Sequence, residues 1–161
     1  MGKRGFSNME FSEKLSIRQQ ETNSASQQDV DLHLIAATLM FAVIRADGDT
    51  DHLELAHMVD IMRSRYNLNC DEISELISSA RLASSNEHGL EKLALKLCQH
   101  WTSKERQQLL NDFWALATAD QEIRVDERLI IDRIANNLQL EDDDVTKARY
   151  KAEQRLELNI G

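Results

Sequence analysis

Proline is missing altogether from these 161 residues, and glycine is scarce at five. Gly2, Gly5 and Gly161 lie near the ends, which leaves Gly48 and Gly89 to punctuate the interior. A chain so poor in breakers, and rich in Leu, Ala, Glu, Gln and Arg, is expected to form helices joined by short polar turns. Cys70 and Cys98 are the only cysteines, and they lack the short paired spacing of a zinc knuckle or a redox motif. No apolar run is long enough to cross a bilayer: the longest, Leu34 to Ile44, falls well short of the roughly 20 residues needed. Lys3 and Arg4 are followed by interrupted polar sequence and not by a signal-peptide apolar stretch. A reduced, cytoplasmic setting is therefore the default expectation. Basic charge is also in deficit, with a formal net charge of -9. Residues 1 to 28 carry four basic and three acidic groups, so the rest carries 15 basic and 25 acidic. A body of that sign repels phosphate backbones, and nucleic acid is excluded as a partner. There is no Gly-rich phosphate loop and no serine in a nucleophile elbow. His33, His52, His88 and His100 are scattered, which favours structural roles for each.

What is present begins with a polar tail. The stretch from Gln19 to Gln28 is nearly all Gln, Ser, Thr, Asn and Glu, which buries too little apolar surface to offset ordering. Residues 1 to 28 are read as a flexible tail with at most a weak helix over 9 to 20, and residues 29 to 161 as one helical domain, in keeping with its size. From Asp29 onward, Leu32, Leu34, Ile35, Leu39, Met40, Phe41, Val43 and Ile44 cover nearly every side of a helix. A helix apolar all round in a soluble protein belongs at the centre. It stops at Ala46-Asp47-Gly48. Further helices are expected from Asp51 to about Tyr66, from an Asn69–Glu72 capping box to about Ser84, and from Leu90 to His100-Trp101. Thr102 with Glu105 opens the next, which ends at Ala119-Asp120; the last two run from about Arg124 to Asn137 and from about Asp142 to Leu158. The acidic run Glu141 to Asp144 favours the start of that last helix. Trp101 and Trp114 read as core or interface anchors.

The sequence also repeats itself. Asp47 and Asp120 lie 73 residues apart, as do Ala46 and Ala119, Asp49 and Glu122, Glu54 and Glu127, and Phe41 and Trp114. Tyr66-Asn67-Leu68 answers Leu138-Gln139-Leu140 after one residue is dropped. Each unit is an apolar helix, an acidic turn and an amphipathic helix that folds back. The expected fold is all-α: a compact bundle of about seven helices arranged as two pseudo-symmetric helix-loop-helix repeats.

Ala46-Asp47-Gly48-Asp49 followed by Glu54, and Ala119-Asp120-Gln121-Glu122 followed by Glu127, resemble the two signature turns of the TerB-like tellurite-resistance family. The resemblance spans roughly Asp29 to Leu158, and Gln121 stands where that family usually has glycine. It implies a helical module of stress-response systems, also found fused to J-domain co-chaperones and linked to membrane-associated complexes, with acidic turns proposed to bind divalent cations.

The residues supply their own reason for a cation. Asp47, Asp49, Asp51 and Glu54 fall within eight residues, and Asp120, Glu122 and Glu127 form the second set, with Asp126 in reserve. Alternating carboxylates suit hard cations, so calcium, magnesium or manganese is favoured over zinc or copper. The competing reading is that these acids begin helices, where their charge meets the dipole and their oxygens accept orphan amide protons; Asp51 with Glu54 is itself a capping-box pattern. An EF-hand is excluded, because His52 stands where its glycine is needed and Met58 where its bidentate glutamate belongs. Glu54-Leu55-Ala56-His57 has the spacing of a di-iron ligand pair, but the second unit has Ile130 in place of the histidine. Three functions follow as expectations. The first is a non-enzymatic module with cation-binding turns and a protein partner. The others are a metal-independent scaffold or co-chaperone-like adaptor docking a basic partner, and a carboxylate metalloenzyme.

Overall fold

A computed structural model describes residues 24–48, 50–85 and 89–160. Seven helices occur among them, in the order α1 (Ser24–Ile44), α2 (His52–Arg65), α3 (Cys70–Ala83), α4 (Leu90–His100), α5 (Ser103–Ala117), α6 (Val125–Ala135) and α7 (Asp142–Ile160), with no strand among the described residues. The all-helical expectation holds. The weak helix over 9 to 20, Asp49, Asn86 and His88 lie outside the described residues.

The apolar helix is central, as its pattern demands. Every residue from Leu34 to Ile44 is buried, and α1 packs against α2, α3, α4, α5 and α6. Thr38, the one polar side chain in that stretch, sends its hydroxyl to the Leu34 carbonyl at 2.8 Å, so its burial leaves no donor unmet. The helix starts at Ser24, inside the stretch read from sequence as tail. Gln28 explains part of the extension, because its amide lies 2.8 Å from Nδ1 of His100 at the end of α4.

The other helices start where their caps dictate. Asn69 and Glu72 exchange both bonds of a capping box, and so do Thr102 and Glu105. Asp142, Asp143 and Asp144 occupy the first turn of α7, against the positive end of its dipole. Trp114 and Phe113 fill the core from α5, whereas Trp101 is half-buried. Cys70 and Cys98 are free thiols.

The two acidic turns share their local backbone. Gly48 N–H donates to the Arg45 carbonyl at 2.9 Å and Gln121 N–H to the Thr118 carbonyl at 3.0 Å. Gly48 has φ of 92° and Gln121 of 70°, the left-handed region that suits glycine. Gln121 therefore adopts the conformation that glycine would take with less strain. Asn67 and Gln139, the other matched pair from the sequence, also have positive φ, at 55° and 54°.

Candidate functional site

The turns before α2 and α6 bring their carboxylates together. Asp51 caps α2, its Oδ1 accepting from the backbone N–H of Leu53 at 2.8 Å and of Glu54 at 3.1 Å. Glu54 does not reach back to close the box. Its side chain turns inward, where it is 1% exposed and hydrogen-bonded to Glu127, itself 1% exposed. Glu127 Oε1 accepts from the backbone N–H of Arg124 at 3.1 Å. Apart from each other, Glu54 Oε1 and Glu127 Oε2 are buried with no hydrogen-bond partner among the described residues.

Two buried carboxyls in contact cannot both ionise cheaply. Burial pushes Glu54 up to about 10, helped by its hydrogen bond to Glu127 and by the charges of Glu127, Asp120 and Asp51. Burial also pushes Glu127 up, against the hydrogen bonds from Glu54 and from the Arg124 backbone. Both shifts favour a proton shared between the two carboxyls.

Asp120 joins from the second turn. One ligand atom each from Asp51, Glu54 and Asp120 lies within 4.8 Å of the others, a spacing that one cation spans. Asp47 is drawn to the same place by an ion pair with Arg124, whose other guanidinium nitrogen lies 3.4 Å from Asp120. Arg124 thus bridges the two turns. Its own pKa is raised by the hydrogen bond and charge of Asp47, and further by the charges of Asp120 and Glu122.

Of the sequence-assigned ligands, then, Asp51, Glu54 and Asp120 converge, Glu127 backs Glu54, and Asp47 faces them through Arg124. Glu122 and Asp126 are exposed. Arg124 is the residue that the sequence reading left without a role. The signal was present: Arg124 stands 73 residues after Asp51, so the second unit has a cation at the position of the first unit's acidic cap.

A family model described as "Tellurite resistance protein TerB" matches residues 33–150, most of the chain. The chain belongs to the TerB family. Both turns and all seven carboxylates assigned from sequence fall inside the TerB match. No curated protein and no solved structure matches the chain. The donor chemistry around the TerB turns could hold a hard divalent cation, since the three converging groups are all carboxylates and, beyond the Glu54–Glu127 contact itself, nothing among the described residues donates to Glu54 Oε1 or Glu127 Oε2. Among the described residues no helix is long and apolar enough to cross a membrane.

Proposed function

We propose that this TerB-family chain is a non-enzymatic interaction module whose paired acidic turns bind a divalent cation, calcium, magnesium or manganese, and so stiffen a surface for a protein partner. The observation that carries this reading is the meeting of Asp51, Glu54 and Asp120, backed by a second buried glutamate. Asp51, Glu54, Asp120 and Glu127 would hold the ion, with Asp47 completing the charge. A bound cation would supply the positive charge that lets both buried glutamates ionise, and these residues would then hold the starts of α2 and α6 together. The two hairpins are read as a pseudo-twofold pair, a reading that the positive φ shared by Gly48 and Gln121 supports. The proposed setting is cytoplasmic, with a partner in a membrane-associated complex, as the family implies.

Calorimetric titration of the metal-free protein with calcium, magnesium and manganese tests the reading. Saturable heat with at least one of them, lost in Glu54→Gln, is the expected result. No heat at millimolar metal removes the cation from the proposal.

A second reading rests on Arg124. Its guanidinium already bridges Asp47 and Asp120, so the chain carries an internal cation where a metal would act. In that reading the module is a metal-independent scaffold or co-chaperone-like adaptor whose acidic surface docks a basic partner. Arg124→Gln then lowers stability without creating a metal response.

A further inference from the structure

A cleft of about 220 Å³ opens at the far end of α2 from the acidic turns, between the C-terminus of α2, the first half of α1 and the start of α5. Glu54 and Arg65 sit at opposite ends of that helix, roughly 16 Å apart at 1.5 Å per residue, so this cleft and the paired turns are separate places. Its walls are aromatic. Tyr66 stacks on His33 with ring centroids 4.3 Å apart and planes at 15°, and Trp101 stands at 50° to Tyr66 with centroids 6.5 Å apart.

Its lining includes a carboxylate with one oxygen left without a partner. Asp112 lines the cleft while being only 3% exposed. Arg65 and Gln108 both donate to Oδ1, the latter at 3.3 Å. Oδ2 is buried and accepts from nothing among the described residues. A buried acceptor left open is costly unless a ligand or water fills it. Burial raises the Asp112 carboxyl above its ordinary value, and the hydrogen bond and charge of Arg65, the hydrogen bond of Gln108 and the charge of His57 offset that only in part.

The surrounding charge decides which donor fits. Asp29 and Glu105 add two carboxylates to Asp112, and Arg65, already engaged by Asp112, is the one permanent cation of the lining among the described residues. Burial lowers the His33 pKa against the charge of Asp29, so the imidazole adds no positive charge at neutral pH. The lining is therefore net negative, because Asp29 and Glu105 outnumber Arg65 whichever state Asp112 holds. Anions are disfavoured there, and a neutral donor leaves the excess charge uncompensated. Aromatic faces beside carboxylates attract ammonium and guanidinium groups, because the ring quadrupole and the carboxylates act in the same sense. The volume lies below that of drug-sized pockets, which matches a head group and not a large ligand.

We propose that the Asp112 cleft binds an organic cation of the amine or guanidinium class, whose N–H meets Asp112 Oδ2 while its alkyl or planar body lies against Tyr66 and Trp101. The same chemistry is offered by a free polyamine-type metabolite and by an arginine side chain of a protein partner.

The test is an NMR titration of the full chain in EDTA, following the Trp101 indole N–H, assigned by its loss in Trp101→Phe. Agmatine and a short arginine-containing peptide are the two cationic arms, and glutarate is the anionic control. Saturable displacement of the Trp101 signal by agmatine, by the peptide or by both is expected, with the stronger arm naming the source. Asp112→Asn should weaken binding about tenfold or more, in line with loss of a charged hydrogen-bond acceptor. Because Asp112 is buried and its loss can unfold the protein, Asp29→Asn on the exposed rim serves beside it and should weaken binding several-fold in a normally folded chain. No saturation by either cation at about 10 mM, the weak end of specific binding, overturns the proposal. So does binding of glutarate instead, or cation binding unchanged in Asp29→Asn and in a folded Asp112→Asn.

Discussion

Replacing Glu54 by glutamine should flatten the dependence of stability on pH above neutrality. In the folded protein Glu54 is pushed up to about 10 by burial and by the carboxyls that face it, namely Glu127 across the contact, Asp51 at the cap of α2 and Asp120 from the other turn. Arg124 is the nearby cation, and it is bonded to Asp47 and Asp120. In the unfolded chain the same glutamate titrates near its ordinary value of about 4.3. Between those two values the folded state holds a proton that the unfolded chain has released, so stability falls as pH rises. For one proton the slope is about 1.4 kcal/mol per pH unit, or roughly 2.7 kcal/mol between pH 7 and pH 9. For a domain of this size that is about 5–11 °C in Tm. The window also lies above the titration of His33, whose folded-state pKa burial lowers below its ordinary value of about 6.5. Urea unfolding in EDTA at several pH values measures the slope. In Glu54→Gln the amide keeps the shape and the contact with Glu127 but has no proton to lose, so that variant should exceed wild type in stability at pH 9. A wild-type curve flat from pH 7 to 9, or an equal slope in the glutamine variant, would refute the reasoning.

Other outcomes follow from the same geometry. If a cation binds between the turns, it must displace the shared proton, and calorimetry in buffers of different ionisation enthalpy should show about one proton released per ion near neutral pH. Arg124→Gln removes the guanidinium that competes for Asp47 and Asp120, so calcium affinity should rise by about tenfold, as expected for losing one close like charge; unchanged affinity would show that Arg124 does not oppose the ion. Gln121→Gly relieves a left-handed residue that costs about 1–2 kcal/mol, against about 0.4–1 kcal/mol of added unfolded-chain entropy, for a net gain near 0.5 kcal/mol in urea unfolding. Asn69→Ala removes the α3 cap and should cost about 1 kcal/mol by the same measurement.

Much of the fold was legible because its signals are local. Asn69 with Glu72 and Thr102 with Glu105 announce helix starts within four residues, and the run from Leu34 to Ile44 fixes the buried helix without reference to anything distant. Local signals also misled at Ser24 to Gln28, where polar composition suggested tail. That segment is helical, and its Gln28 finds its partner, His100, 72 residues away. The candidate site was half legible for the same reason. Its acids were visible as a repeated pattern, but a capping glutamate and a buried one look alike in sequence. Glu54 was read within a capping box, and only its contact with Glu127 draws it inward instead. The Asp112 cleft left no trace in sequence at all. Asp29, Arg65, Trp101 and Asp112 come from separate helices and turns, and no spacing rule links them.

The position of α1 has a consequence for synthesis. Among the described residues this helix precedes every element that packs against it, and α5, which supplies Phe113 and Trp114 to the core, is completed more than seventy residues later. During translation its greasy surface therefore leaves the ribosome well before its wrapping exists. A nascent chain of this kind presents an extended target to holding chaperones, and native compaction waits until the fifth and sixth helices have emerged.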